Sequence, residues 1–517
     1  MKKAVNIYFL FYWGALILIA VSLPLSKYTL SIAIILLSAG WIFSGHFREL
    51  SMLSGQQSTV LIIAGFFIIN LIWLLNTSDF VFGLRHLKIK LPLLIFPLIM
   101  ATSPALKEEL VKRILLFFVA AVVVSTLISG FYFFYESSRL FADIRQYSLF
   151  ISHIRFSLMI VFSVCILWYY GFYLAAPVNH RIAVIIVIVW LVFYIFLLKT
   201  LTGLILLPLM VLILSVITAY RLPVRPRRLL LSAIFIGILV CVLFFYFGFN
   251  RFKARNSAYN HQPVTHTVNG RPYEKPYCTQ YENGNLVWHF VNEQELKQAW
   301  AGRSRIDYHG TDGRQQDLRF TLIRYLSSKA LTKDSAGLSK LTDNDIRNIE
   351  AGITNVIFEN RFSLYARLYE VLWQFEQYPR VEIPEGHSVT MRLFYFNAGW
   401  SIAKRNFLTG TGTGDLQHAF DDYYNTHYPQ LKTSSRLRAQ NQFLTFLISF
   451  GIVGFVLVVA SFIFPVVLSG QYRNVLFICF LIIIFFSMLY EDTLETHTGV
   501  SFFSFFYTLF IYGRNRN

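Results

Sequence analysis

LLLSAIFIGILVCVLFFYFGF, residues 229–249, carries no charge over its whole length and follows directly on Arg221, Arg225, Arg227 and Arg228. A run of about 20 apolar residues crosses a bilayer as a helix, because every backbone N–H and C=O in it must be bonded within the segment. The arginines ahead of it mark an inner connector, since basic residues collect on the cytoplasmic side of a membrane. Behind it the chain turns polar from residue 250 to 441, so this stretch forms the border between a membrane part and a large loop.

Read outward from there, the same pattern gives spans near 5–24, 28–46, 58–76, 88–103, 113–134, 154–175, 181–198, 201–219, 228–249, 442–467, 474–490 and 499–513. The fold class expected is an all-α polytopic membrane protein of about twelve transmembrane helices with a large mixed loop domain. Its parts are an N-terminal bundle of about nine spans (1–249), an extracytoplasmic loop domain (250–441) and a C-terminal bundle of about three spans (442–517). Composition agrees: 55% of residues are hydrophobic and 14% charged, where a soluble domain has about a quarter charged. The 51 Phe and 29 Tyr suit lipid-facing helices and interfacial belts. Met-Lys-Lys opens the first run, but no convincing small-residue cleavage site closes it, so it reads as a retained first helix.

The net charge of +18 sits mainly in short connectors and in the loop, where topology and anionic phosphates account for it; no nucleic-acid partner is expected. With the N-terminus inside, the inner connectors hold Lys2, Lys3, Arg48, Lys107, Lys112, Arg113, Arg181, the arginines at 221–228, Arg473, Arg514 and Arg516. Both termini are then cytoplasmic, and the loop lies outside with the acidic connector Glu491, Asp492 and Glu495. One outer connector breaks the rule: Arg85, His86, Lys88 and Lys90 precede the span with Pro92 and Pro97. Either these chains snorkel at the interface, or they form a cationic rim for a phosphate-bearing substrate with Arg85 and Lys88 as contacts. Cys165, Cys241 and Cys479 lie in apolar runs and Cys278 stands alone in the loop, which implies neither a disulfide framework nor a metal site.

The loop carries folding signals of its own. Asn283-Gly284 between two aromatic-rich runs predicts a hairpin, because a type I′ turn needs positive φ. Thr342 followed by Asp345 is a capping-box pattern ahead of Ile346, Ile349, Ile353 and Ile357, whose spacing marks one helical face. Leu364, Leu368, Leu372 and Phe375 repeat that period in a further helix. No internal repeat and few intramembrane carboxylates are evident, which weighs against a transporter.

After these come Arg392, then Gly410-Thr411-Gly412-Thr413-Gly414-Asp415, then Gln440-Asn441-Gln442-Phe443-Leu444 leading into a span with Gly451 and Gly454. This arrangement resembles the O-antigen ligase and O-antigen polymerase superfamily. Its members pair an arginine-bearing stretch and a Gly-x-Gly turn in a long periplasmic loop with His-Asn-x-x-Leu at the next span and Gly-Ile-x-Gly within it. His153-Ile154-Arg155-Phe156-Ser157 and the big loop before the last helices extend the likeness over most of the chain. Two departures stand out: Gln440 occupies the place of the family histidine, and Thr200-Leu201-Thr202-Gly203 stands where relatives have Ser-Arg-x-Gly.

The resemblance implies a GT-C-like architecture in a bacterial inner membrane, with the loop periplasmic. It implies transfer of a glycan from a polyprenyl-diphosphate-linked donor to a glycolipid or glycan acceptor, within membrane lipid and with no cofactor or metal. In that picture Arg155 and Arg392 hold the diphosphate, Arg85 and Lys88 guide it, and Gln440 with Asn441 positions the acceptor. His153 is a candidate substitute base, since glutamine cannot take a proton near neutral pH. Gly410, Gly412 and Gly414 could cradle phosphate with their N–H groups, although no Lys-Ser/Thr follows as in a Walker A loop. Asp415 and Glu491 are further acid or base candidates. An O-antigen polymerase is the nearest alternative; a lipid-linked glycan transporter or a non-catalytic binding relative is the alternative from another class.

Overall fold

A computed structural model describes residues 2–52, 59–136, 148–174, 177–256, 265–275, 280–360 and 362–513; Cys278, Arg514 and Arg516 lie outside them. The chain opens with helices α1 (Lys2–Leu25), α2 (Lys27–Phe43), α3 (Val60–Ile72), α4 (Phe80–Lys90), α5 (Pro92–Thr102), α6 (Glu108–Glu136), α7 (His153–Trp168), α8 (Val178–Leu198) and α9 (Leu201–Ala219). The apolar α10 (Val224–Asn256) leads into the loop region, which holds β1 (Tyr281–Glu282), β2 (Asn285–Leu286), α11 (Glu293–Ala301), α12 (Leu318–Ser328), α13 (Ser335–Ser339), α14 (Asp343–Glu350) and α15 (Leu364–Gln377). It closes with α16 (Thr390–Arg405), α17 (Leu416–His427), α18 (Gln442–Leu468), α19 (Val475–Met488) and α20 (His497–Tyr512).

Seven described helices, α1, α6, α7 with its following turn, α8, α9, α10 and α18, are long and apolar enough to cross a membrane, and α2, α3 and α19 are shorter apolar helices. The protein is an all-α polytopic membrane protein. The fourth and last of the expected spans are short, as are the third and eleventh, where α3 has 13 residues and α19 has 14. Pro92 opens a new helix immediately after α4, so α5 has only 11 residues. α20 has 16, and every residue from Thr498 to Tyr512 is buried, so it runs inside the bundle with protein on all sides.

Two compact units divide the chain, one of residues 1–129, 148–223 and 383–517, the other of 130–147 and 224–382. The first therefore takes in α16 and α17, which the sequence boundaries 250–441 assign to the loop domain. Aromatic rings fill its interior. Phe506 of α20 meets Phe118 of α6 at 4.9 Å and Phe162 of α7 at 5.0 Å, both edge-on, the arrangement the ring quadrupole favours. Hydroxyls supply the polar links between helices: Ser504 Oγ donates to Pro92 O at 2.8 Å and Tyr507 Oη to Phe462 O at 2.6 Å.

In the second unit the hairpin forms with Tyr281 opposite Leu286, and Asn283 (φ 49°) and Gly284 (φ 81°) make the turn. Thr342 and Asp345 form the reciprocal capping box of α14. The expected four-isoleucine face stops early, however. Gly352 takes φ 83°, its N–H donates to Ile349 O and that of Ile353 to Asn348 O, the paired bonds of a Schellman end. Ile353 and Ile357 lie beyond the helix. On α15 the buried stripe is Ala366, Tyr369 and Trp373 rather than the leucines. The two rings carry polar groups that the hairpin satisfies: Trp373 Nε1 donates to Tyr281 O at 2.6 Å, and Tyr369 Oη accepts from Asn283 N at 3.1 Å. Leu368 instead meets α10 at Gly248.

Candidate functional site

Between α19 and α20 runs a polar connector, residues 489–496, and four side chains from the starts of α16 and α18 grip it. Asn441 caps α18 with Oδ1 accepting from Leu444 N at 2.9 Å, while its Nδ2 donates to Leu489 O at 2.7 Å. Arg392, on the first turn of α16, uses its planar fork on two acceptors: Nη1 on Tyr490 O and Nη2 on Glu491 Oε1 at 2.6 Å. Thr445 Oγ1 donates to Asp492 Oδ1 at 2.7 Å. Gln442 accepts from Leu494 N at 2.7 Å and donates to Glu495 Oε1 at 3.1 Å.

Glu495 sits at the centre of a buried charge cluster. Lys90 Nζ lies 3.1 Å from its Oε1, and His86 Nδ1 and Arg438 Nη1 lie 3.1 and 3.8 Å from its Oε2. Lys90 also donates to Asn70 Oδ1 at 2.8 Å, and Arg438 to Gln417 Oε1 at 3.0 Å. Arg438 Nη2 stands 3.1 Å from His86 Nε2. An arginine has only donors, so that nitrogen must be the acceptor and His86 the neutral Nδ1–H tautomer. Burial, which lowers the His86 pKa, favours the same form. Burial alone would raise the Glu495 carboxyl, but Lys90, His86 and Arg438 together hold it well below the usual carboxylate range.

Arg155 lies in the first turn of α7, with Nε buried and without a hydrogen-bond partner, inside the fields of Glu491 and Asp492. The two arginines singled out by sequence thus converge on one connector. His153 begins α7, so it and Arg155 are both helical and project about 200° apart. Gln440 immediately precedes the α18 cap in the left-handed region at φ 51°, and its amide makes no hydrogen bond among the described residues. A non-glycine residue held there costs about 1 kcal/mol or more, strain of the kind that collects at functional positions.

On α4 the basic residues separate by face. His86 and Lys90 point into the cluster, while Arg85 and Lys88 are exposed and unpaired among the described residues.

The expected phosphate cradle is instead a backbone interlock. α18 breaks at Gly451, φ 62° and ψ −173°, and the 407–414 segment enters the break. Thr411 N and Gly412 N donate to Ile448 O and Ser449 O at 2.8 and 2.9 Å, Thr413 N to Trp73 O at 3.3 Å, and Gly414 N to Thr77 Oγ1 at 3.0 Å. Gly410 N is taken by Asn406 O at 2.9 Å, so no amide of the run is left for a phosphate. Asp415 continues the lock by accepting from Ser78 N and Asp79 N at 2.7 and 2.8 Å.

Asp492, Glu495, Arg438 and Gln442 were not among the site residues expected from sequence. Asp492 and Glu495 stand in the sequence beside Glu491 as carboxylates between two apolar runs, and of the three only Glu491 is singled out there as an acid or base candidate. Among the described residues no three His, Cys, Asp or Glu side chains gather as metal ligands.

Buried cations and carboxylates at helix ends, carried on a polytopic helical frame, define an integral membrane protein with a charge cluster at one connector. A family model described as O-antigen ligase matches residues 350–459, which span Arg392, the Gly410–Gly414 run, Gln440, Asn441 and Gly451, and the match supports membership of the O-antigen ligase superfamily. No curated protein matches the chain.

Proposed function

We propose that the protein transfers a preassembled glycan from a polyprenyl-diphosphate carrier to a lipid or other surface acceptor, at the periplasmic face of a bacterial inner membrane. The observation that carries this reading is the convergence of Arg155 and Arg392 on the connector that also holds Glu491 and Asp492. In that cluster Lys90, Arg155, Arg392 and Arg438 outnumber Glu491, Asp492 and Glu495, with His86 neutral. A diphosphate that departs with the bonding electrons gains negative charge in the transition state, and preset guanidinium donors stabilise it there more than in the ground state. Arg85 and Lys88, exposed on α4, supply attraction for the anionic headgroup, and Gln440 and Asn441 position the acceptor hydroxyl. The basic inner connectors support the orientation with both termini cytoplasmic.

A second reading, a relative that binds the lipid-linked glycan without catalysis, is favoured by Gln440, whose amide cannot take a proton. Transfer measured in a host lacking its own ligase separates the two. Wild type and Gln440→His are expected to transfer, and Arg392→Ala to lose activity by at least about 100-fold, the scale of removing one transition-state charge contact. A folded wild type that transfers nothing, with Gln440→His active, establishes the non-catalytic reading.

A further inference from the structure

Internal pairing accounts for most of the charge at the connector and leaves two groups over. Arg392 binds Glu491, and Lys90, His86 and Arg438 surround Glu495. Asp492 is buried, yet among the described residues it makes no ion pair and one hydrogen bond, from Thr445 Oγ1. Arg155, half-buried with its Nε enclosed, has neither among the described residues, though Asp492 and Glu491 are near enough to act on its charge. A buried charge with no partner is expensive, and such groups are retained where a ligand or a reaction uses them.

We infer that Asp492 is the proton acceptor of the transfer step, with Arg155 beside it facing the departing diphosphate; this rests on the transferase reading. Thr445 belongs to the first turn of α18, its N–H donating to Asn441 O at 2.9 Å, so the carboxylate lies against the helix end that Gln440 precedes. Thr445 occupies Oδ1 and fixes the plane of the group, which leaves Oδ2 for a hydroxyl. As the acceptor's oxygen attacks the anomeric carbon, a C–O bond forms and the bond from that carbon to the diphosphate oxygen breaks. The electron pair leaves with the diphosphate, and the hydroxyl proton passes to Oδ2. Gln440 orients that hydroxyl without accepting its proton.

The surroundings suit the task. Burial pushes the Asp492 carboxyl up to about 6, opposed by the Thr445 hydrogen bond and by Arg438 and reinforced by Glu495 and Glu491. Arg155 on α7 is the remaining charge within reach, and His86 and Lys90 on α4 act on Asp492 only by way of Glu495. A base with such a value is mostly ionised at neutral pH and close to the operating point general-base catalysis favours.

The test uses membranes containing the full-length protein, supplied with the host's polyprenyl-diphosphate-linked glycan and lipid acceptor. Asp492→Asn keeps an oxygen for Thr445 but cannot take the proton. It is expected to lose about 10²–10⁴-fold in kcat while its KM for donor stays within about threefold of wild type. Asp492→Glu is expected to restore part of the rate, and the wild-type rate to fall as pH drops through about 6. A folded Asp492→Asn protein that transfers within about threefold of wild type overturns the assignment and leaves the transferase reading standing. Wild type inactive at every pH, yet still binding undecaprenyl diphosphate, overturns both.

Discussion

The connector in the first unit and the hairpin of the second both bury a glutamate, and they treat it differently. Glu282 is closed on every side: Arg324 Nε donates to Oε1 at 2.7 Å and Asn355 Nδ2 to Oε2 at 2.7 Å, while Asn355 Oδ1 accepts from Ile357 N at 2.9 Å. At the connector, Glu495 has more cations than it can balance, and Asp492 and Arg155 stay unpaired nearby. A network in which each donor meets one acceptor holds a shape. One that leaves charge over holds a shape and also waits for something, and that difference points to the connector rather than the hairpin as the place of chemistry.

The largest effect that tests this contrast comes from Glu495→Ala, which strands Lys90 and Arg438 in a buried site. Breaking one side of a buried pair costs about 3–5 kcal/mol, so the thermal midpoint in detergent should fall by several degrees or the protein should fail to accumulate. Asp492→Asn removes a carboxylate that pairs with no cation and should leave the midpoint near that of wild type at neutral pH. Equal losses in the two variants erase the distinction between a pairing carboxylate and a spare one.

Gly412→Ala should rank next. At φ 96° its added Cβ would sit 2.0 Å from Asn76 O, in a backbone region that alanine avoids at a cost of about 1–2 kcal/mol, before any shift of the α3–α4 segment is counted. Gly386, also at positive φ but with open space around it, is the control: Gly386→Ala bears the backbone cost alone. A midpoint for Gly412→Ala no lower than for Gly386→Ala would mean that the interlock is loose.

Local signals were the legible part of this molecule. Asn283-Gly284 and Thr342 with Asp345 act within a few residues, so the hairpin turn and the capping box could be read directly. The end of α14 at Gly352 was also written in the chain, but the isoleucine period ran past it, because periodicity does not register that a left-handed glycine stops a helix. On α15 the leucines drew the eye to one face. Tyr369 and Trp373 took the core because the hairpin offers partners for their polar atoms, a fact of tertiary structure. Arg155 could be chosen in advance because charged residues at span ends are few, and Arg392 because it stands in the arginine-bearing stretch that carries the family resemblance. Asp492 and Glu495 could not, since what separates them is which cations reach them from α4 and from the segment before α18, about 400 and 50 residues away in sequence. The Gly410–Gly414 run shows the same limit from the other side: a glycine-rich turn reads alike whether its amides face a phosphate or another strand of backbone.

The smallest effect concerns a buried charge that the second unit handles by a third route. Lys333 is buried with no carboxylate within ion-pair distance among the described residues, and its Nζ donates to Leu286 O and His289 O, both at 3.0 Å. Burial pushes its pKa down to about 7, only partly offset by Asp334. In the unfolded chain the amine binds its proton below about 10.4, whereas in the folded unit it does so only below about 7. Between those values the unfolded state holds more protons, so stability is greatest above the upper one, falls as pH drops toward the lower one, and is flat beneath it. Hydrogen exchange at residues 286–291, corrected for its intrinsic pH dependence, should therefore report stronger protection at pH 9 than at pH 7. Lys333→Met should flatten that slope while exposing the two carbonyls to the loss of a donor, two changes that nearly cancel at neutral pH. A slope unchanged in Lys333→Met would show that this lysine is held protonated after all, by a partner as effective as those of Glu282.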